Sequence, residues 1–349
     1  MVASILRPVR LVTRDLPGTG GLHKAIPEDF VVEEIPAYLP SGDGPHTFLS
    51  IEKRGLDTDE AVTRIAAALG VAARDVGVAG QKDRQALTRQ WISVPNVDPA
   101  RALGLTLDGI RVLGAERHGN KLRTGHLRGN RFTLTLRGVV DDAPARARAI
   151  LDGLVAAGGL PNYFGPQRFG ARGDNGERGK RLLLGGGAAK GNPKQNRFFV
   201  SAYQAELFNR ALDARIDDGL LRTALVGDVL KKSDTGGLFT VDDAALADAQ
   251  ARLASGAVVV TGPMFGHTMM APPAGTPAAA REESILAQEG ITPAAFATLG
   301  KLAEGTRRPL LVPIDRPEAR PGDEPGTLLL AFGLPSGSYA TTLLAEVTK

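Results

Sequence analysis

A chain of 349 residues, 43% hydrophobic, is long enough for two domains of ordinary size, each with its own core. Its 42 Lys+Arg against 38 Asp+Glu leave a net charge of only +4, too small a total to argue for nucleic acid, so the placement of the cations has to carry any such reading. The absence of cysteine excludes disulfides and thiolate metal sites; with no signal-peptide core in residues 1–14 and no run of bilayer-spanning length, a soluble cytoplasmic protein is the expectation.

The first informative block runs Lys24-Ala25-Ile26-Pro27-Glu28-Asp29-Phe30-Val31-Val32-Glu33-Glu34. Pro27 ends whatever precedes it, and residues 30–32 read as a short strand. Taken alone, Lys24 is a solvated surface lysine and Phe30 a core residue. Residues 42–45 make a turn, and 46–52 read as a strand leading into Lys53-Arg54-Gly55. Asp57 then caps a helix, with Glu60 completing a capping box. Ala61, Val62, Ile65, Ala66 and Leu69 give that helix its apolar face, and Gly70 ends it. His46, one of five histidines, reads as structural or pocket-lining without a metal role.

In residues 80–94, Asp83 sits between Lys82 and Arg84 on a loop entered through Ala79-Gly80. Either flanking cation would stabilise its negative charge if it came within a few ångströms. Residues 88–94 alternate as a strand whose Thr88, Gln90, Ile92 and Val94 share one face. A loop carboxylate at a strand mouth suits catalysis, and equally suits an Asx turn or a surface ion pair. Further on, Arg117, Lys121, Arg123, Arg128, Arg131 and Arg137 follow one another with no acidic residue between. Such a run is what phosphate contacts require, or else it is a solvated basic face. Within it Phe132, Leu134 and Leu136 share a strand face, so periodicity alone makes Phe132 core.

A helix is predicted over 141–157, ending at Gly158-Gly159, a domain border by its glycines. Next comes the turn-rich block Pro161-Asn162-Tyr163-Phe164-Gly165-Pro166-Gln167-Arg168-Phe169-Gly170, and a second basic stretch follows over 172–197. Cations interleaved with Tyr163, Phe164 and Phe169 suit single-stranded RNA. Residues 185–191 read as a solvated loop. Ser201-Ala202-Tyr203-Gln204 reads as a capping box that opens a helix through Arg215, with Leu207, Leu212 and Ile216 buried. Residues 238–304 say less: 271–280 read as a surface loop, and His267, Met269 and Met270 as packing. Strands are expected at 307–312 and 328–332 and a helix at 338–347.

Several of these blocks resemble one family. Gly80-Gln81-Lys82-Asp83-Arg84 followed by Ala86, Thr88, Gln90 and Trp91 resembles the signature of the TruD tRNA pseudouridine synthases. So do the block from Lys24 to Glu34 and the run from Arg117 to Phe132. The Pro161–Gly170 block, the helix at 201–209 and Phe332-Gly333-Leu334-Pro335-Ser336-Gly337-Ser338-Tyr339-Ala340-Thr341-Thr342 resemble further family motifs, and together they span nearly the whole chain. The resemblance implies an α+β fold. Its pseudouridine-synthase-type catalytic domain, with a mixed or antiparallel sheet and flanking helices, would come from residues 1–159 and 306–349. An α/β TRUD domain, residues 160–305, would be inserted.

The same resemblance implies that Asp83 is the catalytic aspartate with Lys24 near it. Phe30, Asn130, Phe132 and Phe332 would form the substrate pocket, Phe132 lying against the pyrimidine. Arg117, Lys121, Arg123, Arg128, Arg131 and Arg168 are the RNA-backbone candidates. The implied reaction isomerises a uridine at position 13 in the D arm of tRNA to pseudouridine. It needs base flipping and no cofactor, metal, membrane or protein partner, and a monomer suffices. From the residues alone two other classes stay open. A non-catalytic tRNA-binding or folding protein would use the same cations and aromatics and be indifferent to Asp83. A carboxylate glycoside hydrolase would need a second acid, for which Glu28, Asp29, Glu33 and Glu34 are available.

Overall fold

The structure is a computed structural model that describes residues 9–185 and 192–349. The solvated loop expected over 185–191 therefore lies, apart from Gly185, outside the described residues. In chain order the first part gives strands β1 (Gly20–Leu22), β2 (Phe30–Pro36), β3 (His46–Arg54), β4 (Gly77–Val78), β5 (Leu87–Pro95), β6 (Ile110–His118) and β7 (Leu127–Val139), with helices α1 (Thr58–Leu69), α2 (Pro99–Leu103) and α3 (Ala143–Ala156). The middle gives β8 (Leu160–Pro161), α4 (Asn175–Leu184), α5 (Pro193–Asp217), β9 (Val229–Lys232), β10 (Leu238–Thr240), α6 (Leu246–Ala254), β11 (Val258–Met264), α7 (Pro277–Gln288) and α8 (Pro293–Ala297). The last part gives β12 (Thr306–Pro309), β13 (Leu311–Val312), β14 (Asp315–Pro321), β15 (Thr327–Pro335) and α9 (Ala340–Thr348). No described helix is long and apolar enough to cross a membrane.

Two compact units emerge. One holds residues 15–152, 314–340 and 347–349, and the other residues 153–313 and 341–346 together with 9–14. The borders fall at 152/153 and 313/314, a few residues from the turn glycines that suggest a border at 159. Glu346 explains why 9–14 group with 341–346: its carboxylate accepts the Val12 N–H at 2.8 Å and the Thr13 N–H and hydroxyl at 3.1 and 2.6 Å.

The first unit is built on a nine-stranded sheet whose path runs β14-β15-β7-β2-β5-β3-β6, with β1 paired to β7 and β4 to β5. Only the β2–β5 pairing is parallel, so the sheet is mixed. Alternation decides its faces. Thr47, Leu49, Ile51 and Lys53 of β3 stand opposite Val94, Ile92, Gln90 and Thr88 of β5, all on one face. Helix α1 covers that face with Ala61, Ile65, Ala66 and Leu69. Its ends follow from local chemistry: Asp57 accepts the Glu60 N–H at 2.8 Å, and Gly70 takes φ +68°, which a residue with a Cβ rarely adopts. The opposite face carries ion pairs, among them Arg89 with Glu33 and Glu52 at 2.5 and 2.9 Å.

The second unit is organised around α5. Tyr203, Leu207 and Ala211 face one apolar cluster with Phe265 and Phe296, while Phe208 and Leu212 face another with Tyr163, Leu230 and Val260. A helix buried on both sides has no single apolar stripe, so periodicity cannot locate its start. The expected start at Ser201 is thus eight residues late. Asn192 caps the helix by accepting the Lys194 N–H at 2.9 Å, Pro193 occupies the first turn, and Ser201 lies mid-helix. Likewise α7 begins at Pro277, inside the stretch 271–280 expected to be loop, capped by the Thr276 hydroxyl.

Candidate active site

The loop before β5 is anchored from below by a lysine that sequence reading passes over. Lys53, wholly buried at the end of the apolar row of β3, donates to the carbonyls of Leu56, Asp83 and Lys82 at 2.5, 3.1 and 3.4 Å. The Lys82 N–H donates to Thr58 Oγ1 at 2.9 Å, and that hydroxyl donates to Gln90 Oε1 at 3.1 Å. The Lys82 ammonium turns inward to Glu34 Oε2 at 2.6 Å, while Glu34 Oε1 accepts the Trp91 N–H at 3.2 Å. With the backbone of the loop and the side chain of Lys82 tied down, Asp83 presents its carboxylate from a fixed peptide. The signal for Lys53 was present in the sequence: a lysine in register with Thr47, Leu49 and Ile51 has to be buried with them.

Opposite this loop, Lys24 adopts φ +61°, sparsely populated for a residue other than glycine. The segment is pinned by Asp29, whose carboxylate accepts the Ile26 N–H at 3.2 Å and Arg137 Nε at 3.0 Å. Lys24 Nζ is thereby placed 2.9 Å from Asp83 Oδ2 and 4.0 Å over the Phe30 ring. Its side chain is only 14% exposed, so the reading of a solvated surface lysine fails. The cation at Asp83 is Lys24, and neither of its sequence neighbours serves: Lys82 is spent on Glu34, and Arg84 reaches Glu60 at 3.6 Å.

Register brings together the aromatics expected to line a pocket. Phe132 of β7 stands opposite Val32 of β2 on one side and Phe332 of β15 on the other. Its ring stacks on Phe332 with centroids 5.3 Å apart and meets Phe30 edge-on at 6.2 Å. Phe30, Phe132 and Phe332 are all buried, as core residues would be. Asn130, two residues along β7, lies opposite Glu34 and Leu334, and its Oδ1 is buried without a hydrogen-bond partner among the described residues. That places a buried amide oxygen on the same sheet face as the three clustered rings.

The basic run is less free than its sequence implies, because acids arrive from elsewhere in the fold. Arg131 donates to the carbonyls of Asp315 and Arg316 and pairs with Glu318 at 3.2 Å, and Arg137 pairs with Asp29 and Glu324. Arg131 thus holds β14. Arg117 donates to the Gly44 carbonyl, and Lys121 to that of Arg74. Arg123 and Arg128 are exposed and form no ion pair with a described residue. The four candidates for a hydrolase's second acid are each ion-paired as well: Glu28 with Arg54, Asp29 with Arg137, Glu33 with Arg89 and Glu34 with Lys82. Arg54 holds the Glu28 carboxyl below its usual range. At Asp29 burial pushes the carboxyl up, but Arg137 and the Ile26 N–H outweigh it and the net direction is down.

In the second unit, Tyr163 and Phe169 are 2% and 4% exposed and belong to the core, so neither can stack on RNA. Arg168 bonds the Ser201 hydroxyl and lies over the rings of Phe164 and Phe198 at 5.7 and 5.5 Å. Together with Lys194 and Arg197 it lines an open groove beside Phe198, which is 41% exposed. Phe198 is the exposed aromatic that the sequence reading did not single out. Among the described residues no three His, Asp or Glu side chains are grouped to hold a metal ion.

Comparison with known proteins is consistent in kind. The family model described as tRNA pseudouridine synthase D (TruD) matches residues 9–190 and 186–347. The tRNA pseudouridine synthase D of Anaeromyxobacter sp. (strain Fw109-5) is 49% identical over 344 residues, 97% of this chain and 95% of that one. A protein of the same designation from Thermus thermophilus is 43% identical over 348 residues, covering 99% of this chain and 94% of its own. A crystal structure from Methanosarcina mazei, described as a putative tRNA pseudouridine synthase D, superposes with a TM-score of 0.79 at 25% identity, covering 98% of this chain and 96% of the other. Fold and matches together define the class: a pseudouridine synthase built on a mixed sheet with flanking helices. Within that class the chain belongs to the TruD family of tRNA pseudouridine synthases.

Proposed function

We propose that this protein isomerises a uridine of tRNA, position 13 in the D arm, to pseudouridine, with Asp83 as the nucleophile. The observation that carries the reading is the Lys24–Asp83 pair at 2.9 Å beside the clustered rings of Phe30, Phe132 and Phe332. The reaction breaks the N1–C1′ bond, turns the base and forms C5–C1′; C5 gives up its proton and N1 gains one, so nothing is oxidised or reduced and no cofactor is called for. The carboxylate can serve by adding to C6 of the ring or to C1′ of the sugar, and Lys24 lies beside it in either route. The base has to leave its stack to reach Asp83, at a cost of a few kcal/mol. Asn130, whose amide offers both a donor and an acceptor, is suited to the uracil edge, N3–H in particular. In this reading the unit of residues 15–152 and 314–340 is catalytic, and residues 153–313 are an insertion that contacts the RNA.

The test is tritium release from tRNA transcripts labelled at uridine C5, followed by mapping the modified position. Release with pseudouridine at position 13 is expected. Release that maps elsewhere overturns the position, and tight binding without release by any tRNA supports the binding-protein reading instead.

Phe198 and its flanking cations suit a stacked nucleotide outside the catalytic pocket. Phe198→Ala is expected to raise KM for tRNA about tenfold, from the loss of one stacking contact, with kcat nearly unchanged. Phe198→Tyr should restore it. An unaltered KM in the alanine variant would remove this residue from the RNA path.

A further inference from the structure

Asp83 is gripped from two sides by two different cations. Its carboxylate faces Lys24, and its backbone carbonyl faces the buried ammonium of Lys53, which also bonds the carbonyls of Lys82 and Leu56. A lysine seldom sits in a core, and when it does it usually meets a carboxylate. The hydrogen bonds of the Lys53 ammonium run instead to three peptide oxygens, two of them on the loop that bears the reactive group. An ammonium has three N–H groups and these are three acceptors, so the match is complete.

We propose that Lys53 is a positioning residue for Asp83: its ammonium clips the 82–83 backbone in the conformation that aims the carboxylate, and loss of its proton slackens the clip. A neutral amine keeps two N–H groups for three carbonyls and loses the attraction of a full charge for their dipoles. Burial pushes this ammonium down to about 8, against the pull of Asp57 and Asp83, with Lys82 adding to the fall. Its strand neighbours Thr88 and Ile110 bring no charge. The switch therefore falls within the working range of an enzyme assay. The sign for stability is opposite to that for activity. Between about 8 and the ordinary lysine value of about 10.4, the unfolded chain binds more protons than the native one, so this group makes the fold more stable as pH rises. An alkaline loss of turnover through Lys53 is not unfolding.

This inference rests on Asp83 being the nucleophile, and the experiment separates the two. In tritium release followed from about pH 6.5 to 9.5, wild-type kcat should fall about tenfold per unit above pH 8 while KM for tRNA stays within about twofold. Lys53→Met should lower kcat on the order of ten- to a hundredfold and flatten that alkaline limb. Lys53→Arg, charged throughout, should regain part of the loss and extend activity upward. Hydrogen–deuterium exchange over residues 80–86 at a single pH reads the clip without reference to catalysis, and it should rise in Lys53→Met with melting unchanged or raised. Exchange equal to wild type in that segment overturns the clip whatever the activity. A wild-type kcat that is flat through pH 9.5 overturns the proton switch, even if Lys53→Met fails to fold.

Discussion

Asp83→Asn is expected to abolish tritium release while tRNA binding and melting stay at wild-type values. The side chains that hold the loop act through its backbone or through Lys82: Lys53 on carbonyls, Thr58 on an N–H, Glu34 on the neighbouring ammonium. Asparagine keeps the shape of the residue and leaves those contacts in place, so the change is confined to the reacting group. Lys24 retains an amide oxygen to bond, at the cost of an unmatched positive charge that a polyanionic substrate tolerates. Losing a nucleophile costs on the order of 10⁴-fold or more in kcat, at or above the upper end of the roughly 10²–10⁴ of a proton-transfer group. The measurement is single-turnover release, with tRNA affinity followed by filter binding at fixed salt. Activity within about tenfold of wild type would move the nucleophile to another residue.

What could be read from the sequence follows from what is local. Asp57, Glu60 and Gly70 bound α1 because a cap and a left-handed glycine act within one turn. The faces of β3, β5 and β7 are legible because alternation is enforced by the pleat, and Phe132 and Phe332 meet because register carries them to opposite positions. What could not be read depends on partners far along the chain. Asp83 has two cations beside it in sequence and takes a third, 59 residues away, because Lys82 turns to Glu34 and Arg84 to Glu60. The basic run lost Arg131 and Arg137 to acids from β14, the β14–β15 connection and the turn before β2, none of which its own stretch contains. Tyr163 and Phe169 look like stacking residues beside so many arginines, yet α5 covers them. In each case composition was right and direction was undetermined until the packing fixed it.

Glu34→Ala should give the largest loss of stability of any single change near the site. The Glu34 and Lys82 side chains are 1% and 4% exposed and 2.6 Å apart, and both carboxylate oxygens are used, one by Lys82 and one by the Trp91 N–H. Removing the acid leaves an ammonium and a strand N–H buried without their partner, a situation that costs about 3–5 kcal/mol. For a unit of this size that is a fall in melting temperature of roughly 10 °C. The pair itself is a poor source of stability, because desolvating two charges consumes most of their attraction. The double change Glu34→Leu with Lys82→Met should therefore recover most of the loss, and Glu34→Gln should fall between. Recovery of melting in the double variant without recovery of kcat would show what the pair is for: Lys82 precedes Asp83, and an ion pair fixes its direction more narrowly than two apolar chains can. A Glu34→Ala variant that melts like wild type would mean that water reaches Lys82. In that case the loop is held by Lys53 and Thr58 alone.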